Sequence, residues 1–284
     1  MFAPDQWTPV RRFGQFIGPP FTDRETAKGT RAAASHLEKF DTLAALATRL
    51  ASNLALDNSQ LGQEGYTPAI HGREFAALME VLVCELYSAL DGVRRALYGA
   101  YRDVAGVQNT STLKLFKRAQ DNAYDSAFPE EIRVALASAS QTWFPTLRGF
   151  RTEVTHGHTG SCYLDATSGN ISYIHDGLGT PTHAKVVPDI VGHINATAKE
   201  VRGLVDTVFT HLYSRLEQSD KRIMCGIYKG RMYERLVNPE LGLTFDAGQC
   251  LSRSWFEQEP GLECPLRTRC RAYLGTATAS PPVL

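Results

Sequence analysis

Residues 131–158 read EIRVALASASQTWFPTLRGFRTEVTHGH, and their spacing decides the fold. Apolar side chains fall at Ile132, Leu136, Ala139, Trp143, Leu147, Phe150 and Val154. Steps of four and three residues are the repeat of an α-helix with one buried face. Pro145 sits inside the run. It lacks an N–H and crowds the preceding turn, so it should kink the helix or split it in two. Pro129-Glu130-Glu131 reads as a first turn, with proline at N1 and acids at the positive end of the helix dipole. The period stops at Gly157, and a Gly/Ser/Thr loop follows.

The same period recurs on both sides. Leu78, Leu82, Leu86, Leu90, Val93, Leu97 and Tyr101 predict a long helix over about 74–104, with a shorter one over 111–123. Ser35-His36-Leu37-Glu38 has capping-box spacing ahead of Leu37, Phe40, Leu43, Leu46, Leu50 and Leu54. A polar loop is expected over roughly 57–72. From Pro188 the period returns through Ile190, Ile194, Ala198, Val201, Val205, Val208, Leu212 and Leu216. Between these helices, about 159–187 reads as strand, turn, strand, with the turn at Ser168-Gly169-Asn170. The expected class is mainly α: a bundle of four or five helices over 35–217, with a β-hairpin inserted before the last. Residues 1–34, with four prolines, read as an irregular arm. Residues 219–275 read as a small cysteine-containing α+β module whose 222–237 segment, RIMCGIYKGRMYERLV, is a hairpin. Residues 276–284 read as a disordered tail.

Composition narrows the function. Thirty Lys and Arg balance thirty Asp and Glu, so no global basic field announces nucleic acid. Any RNA contact must come from a local patch. The N-terminal residues have no apolar h-region, and the most apolar run, FAALMEVLVCELYSAL, is broken by Glu80 and Glu85. A cytoplasmic chain without a membrane partner is expected. Its six cysteines should then be reduced rather than paired. Hydrolase signatures are lacking: there is no Gly-x-Ser-x-Gly elbow, no His-Glu-x-x-His helix and no Walker lysine loop.

The run Arg151-Thr152-Glu153-Val154-Thr155-His156-Gly157 closes the amphipathic helix. Arginine and histidine five residues apart are common by chance. Arg31 and His36 have the same spacing, but there they precede the expected helix start and share no regular scaffold. At the end of a bundle helix, the second match resembles the signature of the HEPN superfamily. In that signature an arginine, a polar residue and a histidine four to six positions on share such a helix end. Thr152 stands where asparagine is usual. The resemblance spans about 71–217 in architecture and seven residues in motif.

The resemblance implies a metal-independent endoribonuclease acting as a homodimer, of the toxin or phage-defence kind, with RNA as substrate and a regulatory protein as a further partner. No cofactor is needed for its chemistry. Arg151 would stabilise charge on the scissile phosphate and His156 would move the proton. Thr152, His158 and Arg148 would support them. On a continuous helix, five positions turn His156 about 140° from Arg151, while seven place His158 within about 20°. Helix continuity therefore favours His158 and the family pattern favours His156. Glu80, Glu85 and Asp91 could buttress Arg151, although exposure is the expectation for each. The alternative implied function is a catalytically inactive HEPN module that binds a protein, a nucleotide or a nucleic acid.

Two other features stand outside the motif. Cys84 and Cys162 read as buried small residues. Cys225, Cys250, Cys264 and Cys270 crowd a module with little core and could hold one structural zinc, with an iron–sulfur cluster as the alternative. Their spacing contains no Cys-x-x-Cys knuckle. Arg253, Arg267, Arg269 and Arg271, with Trp255, Phe256 and Tyr273, could form a local nucleic-acid surface. His156, His158, His175 and His183 could form a metal cluster, though solvated loop histidines are the commoner case.

Overall fold

The computed structural model describes residues 2–180, 182–217, 219–239, 244–259 and 261–275. The tail expected to be disordered, 276–284, lies outside the described residues. The chain is mainly helical with small antiparallel sheets, and it divides into two compact units. One unit is Asp23–Val208. The other joins Met1–Thr22 to Phe209–Leu284.

The larger unit is built on two long helices, α2 (Arg24–Leu50) and α4 (Ile70–Tyr101). α2 begins eleven residues before the expected start. Asp23 caps it, its side chain accepting from the Glu25 N–H at 2.7 Å. The Ser35–Glu38 spacing is therefore helix interior, and Arg31 and His36 do share a scaffold. The early turns hold Gly29, which looks like a breaker in sequence. Its role is packing: a Cβ there would lie 2.3 Å from the Ala96 backbone nitrogen on α4. Gly92 faces Ala33 in the same way, and Gly99 faces Thr26. Small residues let the two backbones touch. Asp23→Ala should cost about 1 kcal/mol, read as a lower urea midpoint at unchanged slope.

A further helix, α3 (Leu54–Glu64), occupies most of the expected 57–72 loop and ends at Gly65 in the left-handed conformation, φ 69°. After α4 come α5 (Thr112–Gln120), α6 (Glu130–Gln141) and α7 (Phe144–His156). The 131–158 run is split at Thr142 and Trp143, and Pro145 lies in the first turn of α7, where its missing N–H costs nothing. The break shifts the apolar face. Phe144 is buried where the uninterrupted period placed Trp143.

The insertion is a three-stranded antiparallel meander rather than a hairpin: β1 (Ser161–Leu164), β2 (Ile171–Thr180) and β3 (His183–Val187). α8 (Ile190–Ser214) then completes the run of helices. Seven helices, α2 to α8, stand where four or five were expected.

In the smaller unit, the supposed arm contains α1 (Pro9–Phe16). Phe13 packs on Phe209 and Phe16 on Tyr213, with centroids 5.7 and 6.1 Å apart. These contacts tie residues 2–22 to the C-terminal segment instead of leaving them as a separate arm. β4 (Lys221–Tyr228) and β5 (Arg231–Val237) form the expected hairpin. Its turn residues Lys229 and Gly230 both have positive φ, as a two-residue turn matched to strand twist requires. A short β6 (Gln249–Cys250) adds to β5, followed by α9 (Arg253–Gln258) and α10 (Arg271–Leu274). Among the described residues, no helix is long and apolar enough to cross a membrane.

Candidate functional site at the end of α7

The first residue of α7 anchors the site. Phe144 stacks on Phe116 with centroids 3.8 Å apart, and on Tyr87 of α4 at 6.1 Å. Two turns on, the Arg151 guanidinium carbon lies 5.2 Å from the centre of the Tyr87 ring. A planar cation over an aromatic ring keeps its orientation while its edge donors stay available. Among the described residues, no carboxylate forms an ion pair with Arg151. Burial pushes the Tyr87 hydroxyl above its usual pKa, and Asp91 adds to the rise. Arg151, Arg148 and Arg94 act on it in the opposite sense. Arg151, Arg148 and Arg94, together with Asp91, are thus the charged groups that act on this phenol.

Tyr87 and Arg94 carry no motif. The signal that could have found them is the spacing Tyr87, Asp91, Arg94, which lies along one face of α4.

The acidic residues proposed as buttresses are engaged elsewhere. Glu85 meets His36, with Oε2 2.6 Å from Nδ1. Asp91 accepts from the Thr112 hydroxyl. Glu80 is buried rather than exposed, at 8%. Its Oε1 accepts from the Gly160 N–H at 2.7 Å and from the Tyr173 hydroxyl at 2.8 Å. It therefore ties α4 to the loop after α7 and to β2. Glu80→Ala strands two buried donors and should lower stability by about 2–3 kcal/mol, measured by denaturant unfolding.

The helix is continuous through His156, its last residue, which is exposed. Gly157 leaves the helix in an extended conformation, its N–H donating to the Glu153 carbonyl at 2.6 Å. The helical angle thus applies to His156, about 140° around from Arg151, and no longer applies to His158. His158 follows the strands instead. Its ring stacks on that of His175 at 4.8 Å, and Nε2 lies 3.8 Å from Asp176 Oδ2. His175 is buried at 1%, and its Nε2 donates to the His158 carbonyl at 2.7 Å. The β1–β3 sheet thereby holds the loop that carries His158. Arg148 and Thr152 are exposed on α7. One chain does not bring Arg151 and His156 to one face.

The structure gives the loop and strand histidines other neighbours. His183 Nδ1 is 2.9 Å from the Thr182 hydroxyl, His175 is spent on a carbonyl, and the described residues hold no group of three or more ligands placed for a single ion. In the smaller unit, Arg253, Arg267, Arg269 and Arg271 are all exposed, and three of them have acidic neighbours. Arg253 meets Glu257, Arg267 meets Glu263 and Arg271 meets Asp246. Phe256 is buried among Tyr233, Trp255 and Tyr273, so these rings build a core.

Cys162 is buried as expected, and burial pushes its thiol up to about 12. Cys84 is only half-buried, 3.9 Å from the Thr155 hydroxyl. Cys225, Cys250, Cys264 and Cys270 line one cavity of about 130 Å³.

No family model matches the chain, and no curated protein or solved structure is similar to it.

Proposed function

We propose that the chain is a metal-independent endoribonuclease of the HEPN kind, acting as a homodimer on RNA. The observation that carries this reading is Arg151: oriented by Tyr87, without a carboxylate partner among the described residues, and flanked by Arg94 and Arg148. A guanidinium so placed suits the phosphoryl oxygens, where charge grows as a ribose 2′-OH attacks the adjacent phosphorus. The attacking hydroxyl loses its proton, and the departing 5′-oxygen gains one. An imidazole can serve either transfer, and His156, exposed at the helix end, is assigned that role. The products are a 2′,3′-cyclic phosphate and a 5′-hydroxyl.

The angle between Arg151 and His156 requires a second copy. Two α7 ends facing each other across a two-fold axis would let one chain's arginine work with its partner's histidine. His158, drawn onto the sheet by His175, is assigned to shaping the loop. The same angle favours a second reading, a silent module that binds RNA or a protein through the Arg94, Arg148 and Arg151 patch.

Digestion of RNA in EDTA distinguishes the two. The nuclease reading expects cleavage to 2′,3′-cyclic ends by wild type and loss of it in Arg151→Ala and His156→Ala. Equal cutting by all three proteins would reject it.

A further inference from the structure

The four-cysteine cavity of the smaller unit carries an inference independent of the nuclease reading. Cys225 lies on β4, Cys250 on β6, Cys264 in the loop after α9 and Cys270 just before α10. Four stretches of chain thus deliver one sulfur each to the same space. All four are free thiols.

The wall between them holds Arg235 of β5, which is 2% exposed. Its Nη1 donates to the carbonyls of Phe245 and Ala247, each at 3.0 Å. Its Nη2 donates to Cys225 Sγ at 2.9 Å and to Cys270 Sγ at 3.6 Å. The Phe2 ring lies 4.1 Å from the guanidinium carbon. Nε is buried and has no partner among the described residues. No carboxylate is among these neighbours. A buried guanidinium is costly without an anion, and the anionic groups this cavity can supply are thiolates.

The Arg235 N–H groups that meet Cys225 and Cys270 suit thiolate ligands, whose charge they spread.

The shape of the space selects the cation. One tetrahedral zinc draws its sulfurs to about 2.3 Å and closes the site around a single atom. Here the four sulfurs rim a void of about 130 Å³ with apolar walls, including Ile227, Tyr233 and Leu266. A void ringed by four cysteines matches a multi-atom core.

We propose that Cys225, Cys250, Cys264 and Cys270 bind a [4Fe–4S] cluster, with Arg235 as its buried counter-cation. On binding, each thiol gives its proton to solvent and forms one Fe–S bond. The core forms from two ferric ions, two ferrous ions and four sulfides, all supplied from solution, so no net electron is exchanged. The ligated cluster is anionic, which satisfies Arg235. It also staples β4, β6 and the loops beside α9 and α10 at one point.

The test uses the full chain purified without oxygen, then incubated with iron salts, sulfide and dithiothreitol and desalted. The expected result is about four iron and four acid-labile sulfide per chain, with a broad visible absorption that bleaches on dithionite. Cys264→Ser and Cys270→Ser should lose most of both elements, while Cys84→Ala should keep them. Should a ligand variant fail to fold, the wild-type stoichiometry still decides. One zinc per chain and no sulfide would overturn the cluster, as would folded wild-type protein that retains neither metal nor sulfide after reconstitution.

Discussion

Arg151→Ala is expected to lower the rate of RNA cleavage in EDTA by roughly 10²–10³-fold, the usual loss when one donor to a developing oxyanion is removed. The fold should survive. Arg151 is half-buried, and its side chain lies against the Tyr87 ring rather than in an ion pair among the described residues. The informative companion is Arg151→Lys. An ammonium keeps the charge but loses the planar fork that matches two phosphoryl oxygens, so most of the loss should remain. If lysine restored full activity, the guanidinium would be acting only as a point charge. Tyr87→Leu removes the platform and keeps the arginine. It should reduce cleavage less than Arg151→Ala does, since it perturbs orientation and leaves the charge in place.

Gly92→Ala is expected to destabilise the larger unit by about 3 kcal/mol, although alanine is the better helix former. An added Cβ would sit 2.5 Å from the Ala33 backbone nitrogen and 2.9 Å from the Gly29 carbonyl oxygen. Backbone atoms of a packed helix cannot swing away as a side chain can, so α2 and α4 must separate. Gly203 on α8 provides the control, because a Cβ there meets nothing within 4 Å. Gly203→Ala should stabilise by about 0.5–1 kcal/mol through helix propensity alone. Urea unfolding of the two variants should therefore show shifts of opposite sign. A stabilised Gly92→Ala protein would mean that α2 and α4 do not approach this closely.

These two sites mark what the sequence makes legible. The apolar period reveals α4, α6, α7 and α8 because a helix that buries one face must repeat its apolar residues every three or four positions. Pro145 likewise announces its break. The start of α2 is hidden because Gly29, Thr26 and Thr30 are buried for close backbone contact, and small or polar residues look like loop when apolarity is the signal. α1 is hidden for a different reason. It is eight residues long, and its Phe13 and Phe16 find their partners, Phe209 and Tyr213, almost two hundred residues on. α3 buries little beyond Leu54, so its period is faint. The third strand of the meander follows a glycine-containing stretch of β2 with a shift in register, which blurs alternation.

The candidate site is legible in the same uneven way. Arg151 and His156 are visible because they share one short stretch at a helix end. Tyr87, Arg94 and Glu80 come from α4; their spacing places Tyr87 and Arg94 on one face of that helix, but which element packs against it is not written in a local stretch of sequence. The placement of His158 depends on His175, a strand residue whose ring stacks on it. The four cysteines were legible as a group only by density. Their common cavity, and the arginine within it, depend on how the strands and loops of the smaller unit fold together.

The two-fold pairing of Arg151 with His156 is tested most directly by mixing Arg151→Ala and His156→Ala proteins, each expected to be inactive alone, under conditions where subunits exchange. A mixed dimer rebuilds one complete pair, with the arginine from one chain and the histidine from the other. Cleavage to 2′,3′-cyclic ends should therefore return in the mixture. Mixed dimers that form, as native mass spectrometry would show, yet leave RNA uncut would contradict the account.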